Sequence, residues 1–181
     1  AGLQIFDVDH LSTHGGSLRI YAQRSDAGKF PVAPAVKATR EAEVAAGIRT
    51  AAFYRQFQSE ALRIKYELLQ FLLRAKTTGA TVGAYGAAAK GNTLLNFAGI
   101  RRDLLPFVVD LNPAKQGKYM PGSRIPIVDE AHLKTTQPDY ILILPWNLRP
   151  EIMSQLGYAS SWTARFVTAV PALTITEVTS T

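Results

Sequence analysis

The sequence predicts an α/β chain: a Rossmann-like parallel sheet with helices on both faces, preceded by a short strand pair and a long helix. Three observations predict it. From about Thr81 onward, short apolar runs alternate with helical patterns, the rhythm of a sheet covered on both sides. Upstream, Phe53, Phe57, Ala61, Ile64, Leu68, Phe71, Leu72 and Ala75 recur at spacings of three and four, the mark of one amphipathic helix. Between these regions, Val82 to Gly91 reads VGAYGAAAKG: a strand, a turn of small residues and the start of a helix.

Taken in order, Leu3 to Val8 and Leu18 to Ala22 alternate apolar and polar residues around the turn-forming DHLSTHGGS, which predicts two strands and a hairpin. A Pro- and Ala-rich linker follows from about Ala27 to Val36, then a short helix from Lys37 closed by Gly47. The long helix runs from about Thr50 to Lys76 and stops at Gly79. Its aromatic stripe reads as core contact rather than a cofactor box.

The remaining elements are a strand at Thr81 to Tyr85, a helix at Gly91 to Ala98, a strand at Leu105 to Asp110, and a loop from Asn112 to Pro126. Asp129 opens a short helix to Lys134 as its N-cap. Tyr140 to Leu144 is a continuously apolar strand, suited to burial on both faces. Asn147 to Leu156 is a helix with Pro150 in its first turn, and Arg165 to Val170 is the last strand. The domain reading is residues 1–36 for the strand pair and linker, and 37–181 for the sheet domain.

Composition limits the function classes. The 181 residues fit one domain with a small appendage, and 47% hydrophobic residues can build a core. There is no cysteine, so neither a disulfide nor a thiolate metal site. The three histidines, His10, His14 and His132, have no helix-face metal spacing, so no metal is expected. The net charge is +6, but Arg101-Arg102 is the only adjacent basic pair. No nucleic-acid partner is expected from scattered charge, whereas a mild positive bias suits an anionic small ligand. No run reaches the roughly 18 apolar residues of a membrane span, and no signal peptide is visible. The expected compartment is the cytoplasm, with no membrane partner.

Four segments could carry chemistry. The Val82–Gly91 turn lets a ligand approach the backbone, and N–H groups at a helix start favour anions. Lys90 lies in it and Asn92 follows directly after Gly91, which suits a nucleotide or nucleotide-sugar. Its glycine spacing matches neither the dinucleotide fingerprint nor a P-loop, and a turn that merely packs a helix on a sheet is the plainer reading. The second segment is DLNPAKQGKYMPG, where Asp110 stands about where a dinucleotide fold places its ribose-binding acid. Lys115, Lys118 and Tyr119 are placed there for phosphates or a stacked base, or are ordinary loop residues. In the third, His14 precedes two glycines and titrates near neutrality, as a general base or as surface. In the fourth, LPWNL, Trp146 lines a pocket, or packs a helix start that Asn147 caps.

The ordered motifs HGGSLR, GAYGAAAKGNTLLN, VVDLNPAKQGKYMPG with IPI, and PDYILILPWNL resemble the C-terminal domain of sugar C-methyltransferases, over nearly the whole chain. The resemblance implies deoxysugar biosynthesis, with S-adenosylmethionine as donor and a nucleoside-diphosphate 4-keto-6-deoxyhexose as substrate. It implies a longer enzyme, with a cysteine-rich zinc-binding part and a methyl-donor domain before this one. S-adenosylmethionine is then expected mainly in that other domain, and this chain alone is expected to be inactive. By resemblance, His14 is the general base, although Thr13 stands where relatives often carry an acid. Lys90, Asn92, Lys115 and Tyr119 would then hold the diphosphate and nucleoside, with Asp110 and Lys118 as further substrate-binding candidates. The other readings are an NAD-dependent oxidoreductase domain and a non-catalytic binding or scaffold domain, since fold alone does not decide function.

Overall fold

The computed structural model describes residues 1–177, apart from the side chain of His14. The chain divides into two compact units, residues 1–60 and 61–181.

In the first unit, β1 (Leu3–Leu11) and β2 (Ser17–Arg24) pair antiparallel, with a bulge between Ile5 and Asp7. A single 3-10 turn, Thr13–Gly15, joins them, with Gly15 and Gly16 both at positive φ. Helix α1 (Pro34–Ala45) packs on β1, so it belongs with the strand pair rather than the sheet. It begins three residues before the expected Lys37 because Pro34 fits the first helical position, where its fixed φ suits a helix and no N–H is needed. Phe6 and Phe30 stack with ring centroids 4.9 Å apart. Val8 is the one buried residue among those described in this unit.

The expected single helix from Thr50 is two pieces, α2 (Ala51–Tyr54) and α3 (Phe57–Thr77). Thr50 is the N-cap, accepting the N–H of Phe53. Only the second half of the apolar stripe reaches the core: Leu68, Leu72 and Ala75 are buried, whereas Phe53 and Phe57 are exposed. A pattern of apolar spacings cannot register a two-residue break that preserves the spacing, nor tell a buried Phe from an exposed one.

The second unit is a six-stranded sheet in the order β5-β4-β3-β6-β7-β8. The strands are β3 (Val82–Tyr85), β4 (Val108–Val109), β5 (Ile127–Val128), β6 (Tyr140–Ile143), β7 (Arg165–Thr168) and β8 (Thr174–Glu177). The first five are parallel and β8 is antiparallel. This is the strand order of the doubly wound Rossmann-type sheet, in which the chain works outward from β3 to one edge, then returns to build β6 on its other side. Side chains alternate between two cores as the period of two requires. Ala84, Val108, Leu142 and Val167 face α3 and α4 (Ala89–Ala98). Tyr85, Val109, Ile141, Ile143 and Phe166 face α5 (Glu130–Thr136) and α6 (Arg149–Gln155).

Asp129 caps α5 as expected, accepting the His132 N–H at 2.9 Å. The expected strand from Leu105 shortens to β4 because Pro106 has no N–H to give the ladder. No sequence expectation covered β5 or β8. Tyr85 ends β3 with its hydroxyl accepting from Gln155 at 2.9 Å. Burial, with Glu130 and Asp110 nearby, pushes its phenol up to about 12. Among the described residues no helix is long and apolar enough to cross a membrane.

Leu68 is fully buried and Phe57 is largely exposed on the same helix. Leu68→Ala is therefore expected to cost about 2–5 kcal/mol in urea unfolding, while Phe57→Ala leaves the midpoint nearly unchanged.

Candidate functional site

The site is built at the C-terminal ends of β3, β4 and β6, where an open α/β sheet takes its ligands. Gly86 directly follows β3 with φ +91°, and a Cβ there would run into the ring of Pro145. At Gly91, in the first turn of α4, a Cβ would lie 2.5 Å from Leu144 Cβ. The small residues thus set α4 directly against the end of β6. The turn thus packs a helix on the sheet, as its plainer reading expects, and α4 starts without a side-chain cap.

Helix α4 has Ala88 at its N-cap and no side-chain cap. The first-turn N–H groups of Ala89, Lys90 and Gly91 therefore lack intrahelical acceptors, and the helix dipole is positive there. Lys90 is exposed in this turn. Its ammonium donates to Asn147 Oδ1 at 3.0 Å and stands 5.8 Å from the centre of the Trp146 ring, within cation–π range. Lys90 thereby connects the β3–α4 turn with the turn after β6.

Asp110, at the end of β4, is buried. Its Oδ2 accepts the Ala87 N–H at 2.8 Å and the Lys115 ammonium at 3.0 Å, and its Oδ1 accepts the Asn112 N–H at 2.9 Å. Lys115 also donates to the Ala87 carbonyl at 3.0 Å, and Gln116 to the Asp110 carbonyl at 2.9 Å. Three protein donors occupy most of the roughly four acceptor positions of a carboxylate. A dinucleotide fold instead leaves this acid free for the ribose hydroxyls. The arrangement therefore does not fit an adenosine ribose, whether of NAD or of S-adenosylmethionine.

Asn92 lies on the flank of α4, its side-chain oxygen 3.3 Å from the Asn96 amide, which also donates to the Pro121 carbonyl at 2.9 Å. Lys118 and Tyr119 sit on the exposed loop between β4 and β5, where Tyr119 bridges to Pro126 and is 63% exposed. The structure thus gathers Lys90, Asp110 and Lys115 around the β3–α4 turn and leaves Lys118 and Tyr119 on the loop beyond. His14 has its backbone in the turn between β1 and β2, and its side chain lies outside the described part.

Asn147 does not cap α6, which has no side-chain cap; it serves Lys90 instead. Its place immediately beyond β6, next to the strand from which the order reverses, was the signal available in the sequence. A groove of about 630 Å³ runs beside α3 and β8, lined by Phe71, Arg74, Tyr140 and Leu173 among others. It meets β6 at that strand's first residue, Tyr140, rather than at its C-terminal end, and its Glu67 is already held by Arg63 at 2.9 Å, so the chemistry favours the turn. Among the described residues no group of His, Asp and Glu could hold a metal ion.

Residues 12–171 match the family described as the C-methyltransferase C-terminal domain. The chain belongs to that family. Over 180 residues it is 33% identical to the C-methyltransferase NovU of Streptomyces niveus, covering 99% of this chain and 43% of the relative. It therefore spans less than half the length of that C-methyltransferase. In this family domain the β3–α4 turn brings a helix start without a side-chain cap and the Lys90 ammonium together.

Gly91→Ala is expected to destabilise the domain by about 1–3 kcal/mol in thermal unfolding, because the added methyl meets the Leu144 Cβ, whose position the backbone fixes.

Proposed function

We propose that this domain holds the nucleoside-diphosphate sugar of a sugar C-methyltransferase, with the diphosphate at the β3–α4 turn and a 4-keto-6-deoxyhexose as the sugar. The observation that carries the reading is the uncapped first turn of α4 with Lys90 beside it, at the strand-order reversal of a C-methyltransferase family domain. Open N–H groups, a helix dipole and one cation make an anion site. Asn147 and Trp146 border it on the β6 side; Lys118 and Tyr119 supply a further cation and an aromatic face on the loop after β4.

The chemistry asks for a proton to leave the carbon beside the sugar ketone, its electron pair passing into the carbonyl to give an enolate. A neutral imidazole suits that transfer near neutral pH. Within this chain His14 is the candidate, on a turn with two positive-φ glycines that brings no bulky neighbour with it. S-adenosylmethionine supplies the methyl group in this reading. Asp110 is already occupied, so no step through that donor is assigned to this chain.

An NAD-dependent oxidoreductase is the competing reading, and the occupied Asp110 argues against it. Calorimetric titration of the chain separates the two. Thymidine diphosphate is expected to bind and NADH not; the reverse would sink the nucleotide-sugar reading. Lys90→Ala is expected to weaken thymidine diphosphate by about 1–3 kcal/mol, the worth of a charge-assisted bond, and to leave a phosphate-free sugar unaffected.

For His14, the readout is solvent-deuterium exchange at the sugar carbon beside the ketone, in a full-length enzyme carrying this domain and without methyl donor. His14→Asn is expected to slow exchange by about 10²–10⁴-fold while sugar binding holds. Exchange at the unmodified rate would move the role to another residue.

A further inference from the structure

The two lysines nearest the β3–α4 turn have different partners. Lys90 reaches Asn147 across the strand ends. Lys115 is paired with the buried Asp110, whose side chain is 11% exposed. That pair holds both polar groups of one residue: the Ala87 N–H donates to Asp110 Oδ2 at 2.8 Å, and the Ala87 carbonyl accepts from Lys115 at 3.0 Å. The contacts span 23 and 28 residues of sequence, so they tie the turn to the loop after β4.

The turn needs such a tie. Gly86, Ala87 and Ala88 have no side chain able to bond the backbone, and a glycine at φ +91° has wide conformational freedom when released. The pair is also nearly neutral as a unit. It presents little charge to an incoming anion, and removing either member strands a charge or a buried donor.

We propose that Asp110 and Lys115 form a clasp that sets the shape of the β3–α4 turn, so that both are positioning residues and Lys90 is the cation that meets the anion. The clasp is a property of the turn itself; its purpose rests on the nucleotide-sugar reading.

The test uses the chain with thymidine diphosphate as probe. Amide hydrogen exchange at Ala87 is followed without ligand in Asp110→Asn, Lys115→Met and the double variant, with circular dichroism as the folding control. Each single change is expected to speed Ala87 exchange about tenfold or more, as loss of a bond to a charged group does. The double variant should add little beyond the larger single effect, because one clasp is lost only once. Unchanged Ala87 exchange in the folded variants overturns the proposal.

Binding is then measured at low and high salt. The double variant removes opposite charges together, so its binding should weaken but keep its salt dependence, whereas Lys90→Ala should flatten it. Flattening in the double variant would make Lys115 a direct phosphate contact and overturn the division of roles. If Asp110→Asn does not fold, Lys115→Met decides by the same readouts. Failure of the chain to bind thymidine diphosphate, with Ala87 exchange responding as expected, overturns the nucleotide reading and supports the clasp.

Discussion

The close seating of α4 on the end of β6 is the constraint from which the rest of the site follows. No Cβ fits at Gly86 or Gly91 without displacing a neighbour, and between them stand Ala87, Ala88 and Ala89 before Lys90. The small residues offer no side-chain bond to fix the turn, whose own backbone bond is Ala88 N–H to the Gly86 carbonyl at 2.8 Å. The rest of the fixing comes from outside, through Asp110 and Lys115 on the loop after β4 and through the packing of Leu94, Leu95 and Ala98 into the core. The same geometry that makes a compact helix–sheet joint therefore also leaves the start of α4 without a side-chain cap, the feature on which the proposed anion site rests.

How much of this was legible in the sequence depends on the range of the interaction. The parallel sheet could be read because Tyr140–Ile143 and Val82–Tyr85 are apolar on both faces, which only a doubly covered strand tolerates. Asp129 could be read as a cap because a cap acts over three residues. By contrast β5 is two residues long and β8 four, and both exist because a neighbouring strand offers a ladder rather than because of their own pattern. The break between α2 and α3 was invisible since Phe53 and Phe57 keep helical spacing across it.

The site divides along the same line. Lys90, Asp110 and Lys115 were identifiable as a group because two strand-end loops at one sheet edge converge. Their pairing was not: residues 87 and 115 meet only through the β3–β4 register. Asp110 illustrates the gap most sharply. Its position in the sequence suits a ribose acid, yet its oxygens face the protein. Asn147 is the opposite case, a residue whose sequence neighbours suggest a cap and whose partner is a lysine 57 residues away.

The charge distribution sets what kind of grip this edge can have. The chain carries +6, but at the turn Lys115 is offset by Asp110, and the proposed anion would meet Lys90, itself bonded to Asn147, and the partial positive charge of a helix start, about half a unit. A diphosphate diester carries roughly two negative charges, so these groups together do not neutralise it. The balance has to come from the exposed Lys118 on the loop after β4, or the remaining charge stays in water. An exposed, partly neutralised diphosphate is held weakly and releases readily as salt screens it. Such a grip would suit the proposed role of orienting a nucleotide-sugar for chemistry, in which the sugar end has to reach the reacting groups. It does not suit one that stores a nucleotide permanently.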